Sequence, residues 1–181
     1  MIHKKEDWIS AGFEILRDDG ISNVKVEVIA RKLGVTKGGF YGYFSNREVF
    51  LRAMLEYWEQ VHSSEIFHFI NNLTGNLSDK LHKLLYTVDD EKYDAVELSI
   101  CYWAVHDTFA KKIFKRVIGA RLDFLVKLFL EGGFSREEAE KRANIVHHFM
   151  AGCRLNRPLL PKNGSPKRHE QLNHFIKQVT A

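Results

Sequence analysis

The distribution of proline limits this chain more than any other feature. All three prolines, Pro158, Pro161 and Pro166, fall in the last quarter of 181 residues. A proline inside a helix deletes a backbone hydrogen bond and collides with the preceding turn, so everything before Pro158 is free to be helical. Apolar spacing then selects helix over strand. Ile9, Phe13 and Leu16 recur at intervals of four and three. Ile113, Val117, Ala120, Phe124 and Leu128 hold one helical face, and Phe114, Ile118, Leu125 and Phe129 hold a second. Ala139, Ala143, Val146, Met150 and Cys153 repeat the pattern. No convincing alternation of period two interrupts it.

Local punctuation agrees with an all-α fold. Gly20 follows the first periodic segment where a C′ glycine belongs. Ser45 with Glu48, and Ser135 with Glu138, read as capping boxes, and Ser165-Pro166 reads as an N-cap followed by proline at the first helical position. The expected helices cover 4–19, 26–33, 37–43, 46–72, 78–88, 94–107, 109–131, 136–156 and 167–179. Gly75, Asp89-Asp90 and Gly132-Gly133 mark loops.

A chain of this length buries roughly 70% of its unfolded surface and needs no covalent staple. Its two cysteines, Cys101 and Cys153, are too few for a disulfide framework or a four-cysteine zinc site. No apolar run approaches the ~18 residues of a membrane span. The N-terminus is charged and shows no signal-peptide core. A cytoplasmic protein with no membrane partner is therefore expected. The charge is uneven. Residues 25–47 hold Lys25, Arg31, Lys32, Lys37 and Arg47 against the single acid Glu27, and this surplus of four equals the net charge of +4 for the whole chain. Such a local excess is an electrostatic footprint for a polyanion.

That same segment reads as a helix-turn-helix. Ile29 and Leu33 give a first helix its inner face, and Ala30 is small where the second helix approaches. Gly34 supplies the positive φ of a tight turn. Val35 plugs the turn and Thr36 is expected to cap the second helix. Phe40 and Phe44, four residues apart, anchor that helix inward. Lys37, Gly38, Tyr41 and Tyr43 then point outward, with groups that suit phosphates and base edges. Three glycines, Gly38, Gly39 and Gly42, weaken this helix by about 1 kcal/mol each relative to alanine. The expected benefit is close approach of backbone to DNA at Gly38 and Gly39.

The first 55 residues resemble the TetR family of transcriptional regulators. The resemblance is carried by V-E-V-I-A-R-K-L at 26–33 and G-V-T-K-G-G-F-Y-G-Y-F-S-N-R-E at 34–48. The stretch 96–129 resembles one group of these regulators more weakly. The resemblance implies a three-helix DNA-binding head, residues 1–48, and a larger helical effector-binding and dimerisation domain, residues 49–181. It implies that Lys37 and Tyr41 contact DNA, that the Tyr43 hydroxyl and Arg47 reach phosphates, and that Thr36 touches the backbone. Lys25, Gly38 and Gly39 complete the expected DNA-binding set. Two departures stand out: Lys25 replaces the usual Ser/Thr cap, and Glu27 lies where a phosphate-contacting residue is often found.

Two apolar faces on 109–131 and 136–156 need two things to pack on. The family implies that these helices pair two copies into a homodimer, while burial of both faces within one chain is the alternative. An unknown small-molecule effector is expected among Trp58, Tyr86, Trp103, His106 and His147, although aromatic residues at helical spacing also serve simply as core. No H-E-x-x-H, C-x-x-C, G-x-S-x-G or phosphate-loop motif is present. Enzymatic activity, a cofactor and a metal are not expected. The expected function is a ligand-responsive repressor that binds a palindromic operator in double-stranded DNA as a homodimer. A helical metal- or ligand-binding protein, and a regulator without an effector, are the alternatives.

Overall fold

A computed structural model describes residues 4–61, 68, 70, 72–89 and 91–181, and those residues contain helices and turns but no strand. In chain order the helices are α1 (Lys5–Asp19), α2 (Val26–Leu33), α3 (Gly38–Tyr41), α4 (Arg47–Glu59), α5 (Leu77–Val88), α6 (Glu91–His106), α7 (Thr108–Glu131), α8 (Arg136–Leu155) and α9 (Pro166–Thr180). The helix expected over 46–72 runs through residues 62–67, 69 and 71, and the expected Asp89-Asp90 loop includes Asp90; these lie outside the described residues.

Helix ends follow local chemistry, with three differences. Gly20 closes α1 with φ 78°, its N–H bonded to the Leu16 carbonyl. Ser165 Oγ accepts from the Arg168 N–H, and Pro166 follows it as expected. At α4, however, the cap is Asn46, not Ser45: Asn46 Oδ1 accepts from the Val49 N–H at 2.9 Å. Asparagine one residue later offers the same acceptor, and helix register decides between them. At α8, Ser135 Oγ accepts from the Glu138 N–H at 3.3 Å, but the Glu138 side chain turns to Arg142 and Lys141. The third difference, at α3, concerns the candidate site.

Packing divides the chain into two compact units: residues 1–61 with 95–115, and residues 62–94 with 116–181. The division expected after residue 48 falls in the first turn of α4, and the compact unit takes in the whole of that helix.

In the first unit, α1 crosses α4 at Gly12. A Cβ there would lie 2.7 Å from Phe50 Cζ and 2.8 Å from Met54 Sδ, so only glycine allows this approach. Phe40, Phe44 and Phe50 form an interlocked aromatic core with ring centroids 4.9–5.4 Å apart, and Trp8 closes it edge-on to Phe40 at 5.5 Å. Further along, Trp58 stacks on Phe114 at 5.9 Å, the Arg52 guanidinium lies 4.5 Å above the Phe109 ring, and Asp107 Oδ1 caps α7 through the Ala110 N–H.

In the second unit, Leu81, Leu84 and Leu85 of α5 pack with Phe124, Leu125, Leu128 and Phe129 of α7, Ala139, Ala143, Val146 and Met150 of α8, and Ile176 and Val179 of α9. A buried ionic cluster ties its loops to α9. Arg168 donates from Nε and Nη2 to Asp89 at 2.9 and 2.8 Å. Arg157 donates to Asp89 at 2.6 Å and from Nε to Asp94 at 2.7 Å, and Arg154 pairs with Asp94 at 3.2 Å.

Burial bears on the expected dimer helices. Residues of both stripes on α7, including Ile113, Val117, Phe124, Leu125, Leu128 and Phe129, are buried within the chain, and none of the large exposed hydrophobics lies on α7. Phe114, Ile118 and Ala120 of the same stripes are half-buried. Exposed apolar side chains lie instead on α8 and just after it: Ile145 at 52%, Leu155 at 71% and Leu159 at 83%.

Candidate nucleic-acid interface

Lys25 stands extended before α2 with no side-chain cap, as expected from its type. Two residues on, in the first turn, Glu27 places a carboxylate at the positive end of the helix. Ile29 and Ala30 are buried, and Val26 with them. Gly34 then adopts φ 68°, ψ 30°, and its N–H reaches the Ala30 and Arg31 carbonyls. The Val35 N–H bonds Ala30 O at 3.0 Å. This left-handed close turns the chain sharply into α3.

The regular part of α3 is four residues, shorter than the expected 37–43. Glycine supplies little helical stability, and turn-type bonds extend it on both sides: Gly39 N–H to Thr36 O at 3.2 Å, and Tyr43 and Phe44 N–H to Phe40 O at 3.0 Å. Thr36 contributes its carbonyl, not its hydroxyl, so the expected side-chain cap is absent and Lys37 stands at the N-cap without one. The hold comes from the aromatic core, in which Phe40 is 0% and Phe44 1% exposed.

With those two rings fixed inward, the opposite side carries Tyr41, 58% exposed, and Tyr43, 44% exposed. The glycines separate in role. A Cβ on Gly38 would meet only Thr36 Oγ1 at 3.6 Å, leaving it open to a backbone from outside. A Cβ on Gly39 would lie 3.3 Å from the Trp8 ring, so this glycine permits packing against α1. Its expected role in close approach to DNA is thereby shared with an internal one.

The basic surplus is partly neutralised inside the protein. Lys37 Nζ donates to Glu27 Oε1 at 2.7 Å, and that hydrogen bond, with the backbone and the charge of Lys37, holds the Glu27 carboxyl below its ordinary range. Lys32 pairs with Glu14 at 2.8 Å. Arg47 turns toward the chain: Nε donates to Val24 O at 2.6 Å and Nη2 to Ile21 O at 2.8 Å. It straps the turn at Ile21–Asn23 to the start of α4, a role its position in the sequence does not reveal. One cation outside the expected set joins this face. Lys5, at the start of α1, lies 5.7 Å over the Phe44 ring. Its position in a charged N-terminal run was the available signal.

The five expected effector residues fall in both units. Trp58 and Trp103 are 1% and 6% exposed and serve as core of the first. His106, also in the first unit, is exposed and lies edge-on to Tyr102 at 5.2 Å. Tyr86 and His147 belong to the second. The Tyr86 hydroxyl donates to Asn173 Oδ1 at 2.8 Å, and His147 meets the His148 ring at 5.5 Å.

Comparison with known proteins bears on this head directly. Residues 9–54 match the family described as bacterial regulatory proteins, tetR family. An uncharacterized HTH-type transcriptional regulator of Bacillus subtilis, YwcC, is 31% identical over 98 residues, covering 54% of this chain and 41% of that protein. The match therefore spans less than half of that relative's length. Among solved structures, a TetR transcriptional regulator from Legionella pneumophila superposes with a TM-score of 0.80 at 15% identity, over 98% of this chain and 97% of the other. A Saccharomonospora viridis protein in complex with choline superposes with a TM-score of 0.76 at 10% identity, over 96% and 93%. At these identities the structural likeness is one of fold.

Proposed function

We propose that this chain, whose residues 9–54 match the family described as bacterial regulatory proteins, tetR family, is a sequence-specific DNA-binding transcriptional regulator. It acts as a homodimeric, ligand-responsive repressor on a palindromic operator. The observation that carries the reading is the two-sidedness of α3: Phe40 and Phe44 fill the core while Tyr41, Tyr43, Gly38 and Lys37 face outward. Residues 1–48 are the DNA-binding head and 49–181 the effector and dimerisation part.

In this reading Tyr41, Lys37 and Lys25 meet phosphates and base edges, the Tyr43 hydroxyl meets a phosphate, and Gly38 and Gly39 let the duplex backbone close on α3. Thr36 lies beside them. Arg47 supports the face from behind, and its remaining N–H groups supply a phosphate contact. The second copy docks on the outer stripe of α8, where Ile145 and Leu155 are exposed. Two heads in a symmetric pair then meet half-sites one helical turn apart, about 34–36 Å. The choline bound to the Saccharomonospora viridis protein supports a small-molecule effector here, and Tyr86 and His147, both of the second unit, are the polar groups proposed to meet it. Such an effector changes DNA affinity only by binding the two states unequally, with a coupling of about 1–3 kcal/mol.

The test is selection of fragments from the source genome on the purified protein, followed by binding of Lys37→Ala and Tyr41→Phe variants. Both variants are expected to bind the selected fragments more weakly while melting normally. Unchanged binding by both would remove α3 from the interface.

A further inference from the structure

We infer that Glu27 is a latch on Lys37 that withholds this lysine from non-specific DNA and releases it only on the operator. The inference rests on the DNA-binding reading above and adds a discriminating residue to it.

The ion pair joins the first turn of α2 to the start of α3 across the turn, with Nζ 2.7 Å from the carboxylate. Both side chains are exposed, Lys37 at 55% and Glu27 at 60%. Glu27 is the one acid in a segment of five cations, and it sits on the surface that a duplex would meet. Its charge is well supported in place: hydrogen bonding to Lys37, the helix N-terminus and the nearby Lys25 all favour the carboxylate.

An exposed pair of this kind holds its partner by no more than about fivefold. A phosphate placed against Lys37 in good geometry overcomes that easily. In a loosely docked complex on arbitrary sequence, however, no phosphate is held in the right place, and the lysine stays with Glu27. Non-specific binding is almost wholly a matter of counterion release. One lysine kept out of it therefore weakens binding where the protein gains nothing from being tight. On the operator, base contacts fix the register, the phosphate meets Lys37, and the pair opens. The latch thus widens the gap between operator and bulk DNA without reading any base.

The experiment uses full-length protein, a mixed-sequence 30-base-pair duplex, and a genomic fragment selected by the wild type. Affinity is measured against salt for wild type, Glu27→Gln, Lys37→Ala and the double variant. With Glu27→Gln the log-affinity against log-salt slope on the mixed duplex is expected to steepen by about 0.9, the value of one phosphate contact. The slope on the selected fragment stays unchanged. In the Lys37→Ala background, Glu27→Gln is expected to leave the slope on the mixed duplex unaltered. An unchanged slope on the mixed duplex, or an equal change on both duplexes, overturns the latch. Weaker operator binding by Glu27→Gln also overturns it, since the carboxylate would then be a contact. Absence of salt-dependent DNA binding by the wild type refutes the DNA-binding reading itself, a different failure.

Discussion

Arg47 is expected to stabilise the head more than it grips DNA, and replacing it by lysine separates the two roles. The guanidinium donates two hydrogen bonds, to Val24 O and Ile21 O. Ile21 O also accepts from the Val24 N–H at 3.2 Å, so it keeps a partner when the arginine is gone. Val24 O is the acceptor that loses most. A hydrogen bond from a charged donor contributes about 1.5–3 kcal/mol, less where water competes. With one bond part-buried and one exposed, a net loss of about 2 kcal/mol is expected for Arg47→Ala. Lysine retains the charge but not the two-pronged geometry, so Arg47→Lys is expected to lose about 1 kcal/mol or more. For a chain of this size these losses lower the melting temperature by about 4–8 °C and 2–4 °C respectively. Thermal unfolding followed by circular dichroism reads the shift directly. If Arg47→Lys melts like the wild type while Arg47→Ala flattens the salt slope of DNA binding by about 0.9, the strap is incidental and the side chain serves phosphate.

Gly12→Ala sets helix propensity against packing: alanine favours the helix by about 1 kcal/mol, but overpacking against Phe50 and Met54 costs about 1–3 kcal/mol, so a lower melting temperature is expected and a higher one would show that Met54 moves aside. The buried ionic cluster gives a pH dependence. Burial opposes the charge on Asp89, yet hydrogen bonds from Arg168 and Arg157 prevail and hold its carboxyl below the ordinary range; its contribution is present above the unfolded value of about 3.9 and is lost as pH falls through the lower folded value. Burial of Asp94 outweighs Arg157 and Arg154 and pushes its carboxyl up, so between the ordinary and the raised value stability falls as pH rises. At neutral pH Asp89→Asn is therefore expected to destabilise by about 3–5 kcal/mol, as breaking a buried pair does, and Asp94→Asn by clearly less; equal losses in urea unfolding would contradict this. Ile145→Glu is expected to shift the protein toward monomer in sedimentation velocity, and an unchanged sedimentation coefficient would remove the α8 stripe from the dimer interface.

Features fixed within a turn or two of sequence were legible. The proline-free run, the Gly34 close and the Ser165-Pro166 start all depend on near neighbours, and each is where the sequence places it. The choice between Ser45 and Asn46 as cap depends on helix register, which adjacent acceptors leave open. Roles set by distant partners were not legible. Gly39 meets Trp8, Arg47 reaches carbonyls more than twenty residues earlier, and Asp89 finds Arg168 from 79 residues away. The two stripes of α7 showed that two surfaces must cover it, but their chemistry is the same whether the cover is a second copy or the rest of the chain. Trp58 and Trp103 could not be sorted between core and pocket from sequence for a related reason: core and ligand lining use the same apolar side chains.

The most direct measurement is a hydroxyl-radical footprint of the protein on a fragment selected from its own genome. Two protected patches on one face of the duplex, centred about one helical turn apart, both lost with Tyr41→Phe combined with Lys37→Ala, are the expected result. A single patch, or protection that persists in the double variant, would contradict a symmetric pair of heads gripping DNA through α3.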